Sequence, residues 1–143
     1  MSEIKNFEWE DSLSVGYNTI DLHHKKLLNI MGQFKDLFDL SQEEYKLKIG
    51  KVIKNLPDYT YYHFEEEEKV MNEYGYPNLK EHAEIHKSFI KKIREAIIPL
   101  ASGNIETGLK FYDFLGRWLV EHIAGADHDW AEYIHKEHPE AQF

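Results

Sequence analysis

The chain has 143 residues, no cysteine, nine histidines and a formal net charge of -9. That length can bury a core without disulfides, and the missing cysteine excludes iron–sulfur clusters and thiolate metal sites, leaving His, Asp and Glu for any metal. The acidic balance argues against nucleic acid and anionic membranes, no apolar run is long enough to span a bilayer, and Met1 to Asp11 lacks the regions of a leader, so one cytoplasmic domain over 1–143 is expected.

Residues 1–18 read as an extended arm, with Phe7, Trp9, Leu13 and Val15 available to pack across helices and Trp9 as an anchor. The first helical segment, roughly 19–40, carries Leu27, Ile30, Met31, Phe34, Leu37 and Phe38 on one stripe, with Asn18 placed as N-cap. The second, 42–74, opens on a Ser41/Glu44 capping box and runs through Ile49, Val52, Leu56, His63, Glu67 and Met71 to Gly75 and Pro77. Pro57 should kink or split it, because proline removes an amide donor and clashes with the preceding turn. The third, 78–101, places His82 and His86 on the same stripe as Phe89, Ile93, Ile97 and Leu100. The fourth, 105–127, carries Leu115, Trp118, Leu119, His122 and Ile123, and residues 128–143 read as a polar tail in which His128, His135 and His138 are solvated. Short connections make neighbouring helices antiparallel, so the expected fold is all-α, an up-down-up-down four-helix bundle with an N-terminal arm.

Seven polar residues interrupt the apolar stripes: His24, His63, Glu67, His82, His86, His122 and Asp127. A buried polar group without a partner costs roughly 2 to 7 kcal/mol, so each requires an explanation. A lone histidine on an apolar face is more often a satisfied core residue than a ligand. The four-residue spacings of His63 with Glu67 and of His82 with His86 are more informative, because they leave each pair about 40° apart and one turn along the helix, within reach of common ions. His122 and Asp127 are five apart, about 140° on an ideal helix, so both face inward only if the helix widens; a π-turn around Gly125 is predicted. Zinc-protease and ferritin-like templates fail on spacing: His82-Ala83-Glu84-Ile85-His86 has alanine where the general base belongs, and Glu132-Tyr133-Ile134-His135 is the chain's sole E-x-x-H, where ferritin-like sites need two. Imidazole-rich sites suit iron, zinc or copper. His23 lies about 100° from His24 and is expected on another face or behind the donors, and Glu65 to Glu68 read as a solvated face apart from Glu67.

These residues resemble the hemerythrin family over nearly the whole chain, and its single-domain bacterial members in particular. The resemblance rests on Phe7-Glu8-Trp9, Ser14-Val15-Gly16 and Ile20-Asp21-Leu22-His23-His24-Lys25; on His63-Phe64 with Glu67 and Met71 in an H-F-x-x-E-E-x-x-M pattern; on His82-x-x-x-His86; and on Trp118-Leu119 ahead of His122 and Asp127. The departures are His23, where glutamine is usual, and Pro57. The resemblance implies two iron ions, one on His82, His86 and His122 and the other on His24 and His63, bridged by Glu67, Asp127 and an oxo or hydroxo group. It implies dioxygen as the ligand, bound at the His24/His63 iron, with Leu27, Met31, Phe64, Trp118 and Leu119 lining the pocket.

The function so implied is reversible oxygen binding for storage, delivery (oxygen transport) or scavenging, with no catalytic residues, a possible oxygen-requiring enzyme as client, and a monomer or weak homo-oligomer. The rivals are an oxygen or redox sensing module, which would need an output domain; a di-iron enzyme acting as a peroxidase, in iron handling or on nitric oxide, which would need a second exchangeable position; and a structural zinc or mixed-metal bundle.

Overall fold

The computed structural model describes residues 4–143. Its main helices are α1 (Asn18–Asp36), α2 (Gln42–Glu73), α3 (Leu79–Ala101), α4 (Ile105–His122) and α5 (His128–Glu137). Short 3-10 turns cover Asp11–Leu13 and Leu37–Asp39, and a π-helical segment, Ile123–Asp127, joins α4 to α5. There is no strand among the described residues, and no helix is long and apolar enough to cross a membrane.

Side-chain pairings give the helix directions. His23 of α1 meets His63 of α2, while Leu37 and Leu47 line one groove at the opposite end. Along α2 and α3, Glu68 meets His86 and Tyr61 meets Arg94. Phe89 of α3 stacks on Trp118 of α4, and His86 pairs with His122. Phe34 of α1 packs on Tyr112 of α4, while His24 meets Asp127. In every pair the residue numbers run in opposite senses, so α1 to α4 form the expected antiparallel four-helix bundle.

Local signals account for most of the boundaries. The Ser41 hydroxyl accepts the Glu44 amide at 3.2 Å, as the capping box predicts, and Asn104 caps α4 by accepting the Thr107 amide at 3.1 Å. Gly75 and Gly103 take φ of 69° and 76°, the left-handed conformation that ends α2 and α3 without a Cβ penalty. Asn18 is not the N-cap: α1 begins one residue earlier than expected, behind Tyr17, which makes no side-chain cap. Asp21 instead reaches back to accept from the Val15 amide at 2.9 Å and from the Ser14 hydroxyl, fastening the arm to the helix. Pro57 does not split α2, which is one helix of 32 residues. Its ring is buried, and the helix continues past it.

The arm packs as expected. Phe7, Leu13 and Val15 are buried, and Phe7 lies so close to Gly116 that a Cβ there would sit 2.2 Å from its ring. Trp9 is half-buried beneath the Lys25 ammonium, 4.9 Å from the ring centre.

The region expected to be a solvated tail is largely helix. Trp130, Ala131 and Ile134 of α5 are buried with Val15, Tyr17, Ile20 and Met71 in a second apolar cluster. Each of the three tail histidines pairs with a backbone carbonyl: His128 with Leu13, His135 with Val15 and His138 with Tyr74, at 3.2, 3.0 and 3.0 Å. The larger cluster holds Leu27, Phe64, Phe89, Leu119 and Ile123. Along the chain, His24 stands between Ile20 of one cluster and Leu27 of the other, Glu67 between Met71 and Phe64, and Asp127 between Trp130 and Ile123. A polar layer therefore separates two apolar ones.

Candidate metal centre

All seven residues predicted from the stripes lie in that layer, and all seven are buried. Each of four helical segments contributes along its inward face: His24 from α1, His63 and Glu67 from α2, His82 and His86 from α3, and His122 with Asp127 from the end of α4 and the π-helical segment. The π geometry answers the spacing problem posed by His122 and Asp127. Ile123–Asp127 fits five residues into the turn, which brings His122 Nε2 within 3.2 Å of Asp127 Oδ1.

The donor atoms fall into two overlapping groups. One comprises His82, His86, His122, Glu67 and Asp127; the other comprises His24, His63, Glu67 and Asp127. Within each group the ligand atoms all lie within 4.8 Å of one another. The two carboxylates divide their oxygens between the groups. Glu67 Oε2 is 3.1 Å from His63 Nε2 and 3.5 Å from His24 Nε2, whereas Oε1 is 2.9 Å from His82 and 3.2 Å from His86. Asp127 Oδ2 is 3.1 Å from His24, whereas Oδ1 is 3.3 Å from His82 and 3.2 Å from His122. All five imidazoles present Nε2.

These contacts are short, yet several are not hydrogen bonds. His24 Nε2, Glu67 Oε2 and Asp127 Oδ2 have no hydrogen-bond partner although they lie 3.1 to 3.5 Å from one another or from His63. Lone pairs that converge on a common point give close distances without donor–acceptor alignment. Orphaned buried polar atoms are costly, and a cation at that point would satisfy them together. The donor set fits a borderline transition metal, and the two groups fit two neighbouring ions.

Without metal the same groups behave as buried ion pairs. Burial disfavours charge on His24, but Asp127 and Glu67 outweigh it and raise the imidazole to about 9; His82 follows the same pattern, also to about 9. Burial likewise opposes charge on His86, which Glu67 and Glu68 nevertheless raise. Glu67 is held well below the usual carboxylate range, against its burial, by His63, His24 and His82. Asp127 is lowered too: burial and Glu67 oppose its charge, and His122 and His24 prevail.

Three residues around the donors support them, two of which, Glu68 and Trp130, were not singled out from the sequence. Glu68, read as part of a solvated face, places Oε2 2.8 Å from His86 Nδ1, the arrangement in which a carboxylate orients a metal-binding histidine. The fully buried Trp130 directs its indole N–H to Asp127 Oδ1 at 3.3 Å. His23 is buried, as one of its two expected positions allowed, and it contacts His63 rather than its neighbour His24: the two Nδ1 atoms are 3.0 Å apart. Burial, then the nearby His63 and His24, lower its pKa. Position 68 is the second glutamate of the H-F-x-x-E-E-x-x-M pattern and His23 a departure from the family pattern, but their partners were not legible because each comes from another helix; Trp130 follows Asp127 by three residues, a detectable spacing.

Of the residues expected to line a pocket, Leu27, Met31, Phe64 and Leu119 are buried and Trp118 partly so. Phe64 stacks on His86 at 3.7 Å and Trp118 on His122 at 4.5 Å, which puts both rings on the side with three histidines.

The family model of the hemerythrin HHE cation binding domain matches residues 15–134. The chain is 31% identical over 126 residues to a bacteriohemerythrin of Stenotrophomonas maltophilia, covering 88% of this chain and 80% of that one. It is 32% identical over 130 residues to a bacteriohemerythrin of Clostridium acetobutylicum, covering 88% and 99%. With myohemerythrin-1 of Phascolopsis gouldii it shares 31% identity over 121 residues, or 85% and 88% of the two chains. Helices, convergent donors and relatives agree, and the chain belongs to the hemerythrin family.

Proposed function

We propose that this protein binds dioxygen reversibly at a non-haem di-iron centre, with Glu67 and Asp127 shared between the two ions, in oxygen storage, delivery or scavenging. One observation carries the reading: two donor groups share both carboxylates but differ in histidine count, three against two. Two unequal positions suit a centre in which one ion is held by more protein donors and the other leaves room for a small ligand. Iron held there would supply electrons to bound dioxygen and recover them on release.

The chain's own residues tune that chemistry. Five neutral imidazoles and two carboxylates bring only two negative charges, so the site stabilises highly oxidised iron less than a carboxylate-rich one would. Glu67 and Asp127 each offer one oxygen to each group, which fixes the spacing between the positions. Phe64 and Trp118 cover the three-histidine side and exclude water from it, and Leu27, Met31 and Leu119 extend the apolar surroundings. That donor count favours a binding protein over a catalyst, and an oxygen-requiring enzyme is a fitting client.

Metal analysis with an optical titration tests the proposal. Two irons per chain and a charge-transfer band that appears in air and disappears under vacuum are expected. Rapid irreversible oxidation with turnover of peroxide would replace this reading with an enzymatic one.

A further inference from the structure

His23 sits one residue before a donor and faces a different helix. Its ring is buried, edge-on to His63 with centroids 5.2 Å apart, and enclosed on its other sides by Tyr59 and Tyr62 at 6.1 and 5.3 Å. The His23 and His63 Nδ1 atoms are 3.0 Å apart, so one must carry hydrogen and the other a lone pair. His63 Nε2 points the opposite way, 3.1 Å from Glu67 Oε2 and within the four-donor group. A neutral imidazole that offers Nε2 to a metal keeps its hydrogen on Nδ1. The direction of the bond then follows: His63 donates through Nδ1–H, His23 Nδ1 accepts, and His23 carries its own hydrogen on Nε2.

We propose that His23 is a positioning residue for the four-donor metal group, accepting the His63 Nδ1–H and thereby fixing the tautomer and ring angle that turn His63 Nε2 toward Glu67. The proposal rests on the reading of this cluster as a metal centre. It also gives the two groups different supports. In the five-donor group a carboxylate, Glu68, orients His86, whereas in the four-donor group a neutral imidazole orients His63, and His24 Nδ1 has no partner among the described residues. A carboxylate acceptor raises the basicity of its histidine more than an imidazole does. The four-donor position is therefore the more weakly held, and its support comes from one residue, His23.

Zinc, which is diamagnetic, serves as the probe on the full chain. In histidine-15N-labelled zinc-loaded protein, NMR should find His63 protonated at Nδ1, His23 bare at Nδ1, and a nitrogen–nitrogen coupling across the bond. Chelator competition should show that His23→Leu weakens the second zinc about 10- to 100-fold while leaving the first unchanged. His23→Gln, whose amide oxygen can accept the same bond, should restore the second zinc to within a few-fold. A bare His63 Nδ1, two wild-type zinc affinities in His23→Leu, or equal losses in both variants would overturn the proposal. Wild-type protein that takes up fewer than two zinc ions would instead overturn the metal-centre reading beneath it.

Discussion

Glu68 shows how much depends on a single contact between helices. It sits one position past Glu67, about 100° around α2, and so leaves the inward stripe for the seam with α3. There its Oε2 meets His86 Nδ1 at 2.8 Å. In sequence it is the last of four consecutive glutamates, a charge run that reads as a solvated face; the family pattern sets Glu67 and Glu68 apart from the other two but does not name the partner of Glu68. The seven donors were legible for the opposite reason, since each breaks an apolar period on its own helix. Glu68→Ala should weaken metal held by the five-donor group about 10- to 100-fold, read by chelator competition, with Glu68→Gln intermediate because an amide still accepts. Unchanged affinity in the alanine variant would show the contact to be incidental. Leu119 tests the apolar surroundings: it is buried three residues before His122, and Leu119→Ser should accelerate loss of the air-dependent band to autoxidation. An equal decay rate would remove Leu119 from the water barrier.

At the scale of elements, the long helices were readable because each repeats its apolar stripe over several turns. The short ones were not. α5 presents Trp130, Ala131 and Ile134 within barely one turn among charged neighbours, too brief for a period to emerge. Its anchors lie elsewhere, in Tyr17, Ile20 and Met71 and in the carbonyls of Leu13, Val15 and Tyr74. The cap of α1 was illegible for a similar reason, because an acceptor at its start comes from far along the chain: the Phe143 carbonyl accepts the Thr19 amide at 3.3 Å. The π-helical segment was legible through a conflict, since the five-residue step from His122 to Asp127 cannot keep both residues inward on an α-helix. Such segments persist where function needs them rather than for stability. Deleting Gly125 would reduce the step to four, allow regular helix to close, and keep Trp130 on its buried face. Because a four-residue step on a regular α-helix also turns both residues inward, the deletion variant should melt no lower than the parent when metal-free and should hold metal within a few-fold of the parental affinity. Loss of metal binding in a variant that still folds would mean that the widened turn sets donor placement beyond merely facing both residues inward.

For the whole molecule, the decisive feature is a charged layer enclosed between two apolar clusters, and its protonation governs stability when metal is removed. The ordinary imidazole value is 6.5, and in the metal-free fold Asp127 and Glu67 raise His24 and His82 to about 9 against their burial. A folded-state pKa above the unfolded one stabilises the fold fully below about 6.5, and that contribution is lost as pH climbs through about 9. Glu67 and Asp127 have the opposite sign, because their imidazole neighbours hold them below their ordinary values of 4.5 and 3.8. Their contribution is present above those values and disappears as pH falls through the lowered ones. The melting temperature of metal-free protein should therefore be highest between about pH 4.5 and 6.5 and decline on either side. Metal requires bare Nε2 atoms, so uptake at pH 7 must displace the hydrogens that His24 and His82 hold. At least two protons should be released per chain, measurable by pH-stat, and affinity should increase from pH 6 towards 9. Proton-neutral uptake, or a metal-free melting temperature that climbs between pH 6.5 and 9, would mean that the layer holds its histidines neutral, and that metal replaces a hydrogen-bonded network rather than a set of ion pairs.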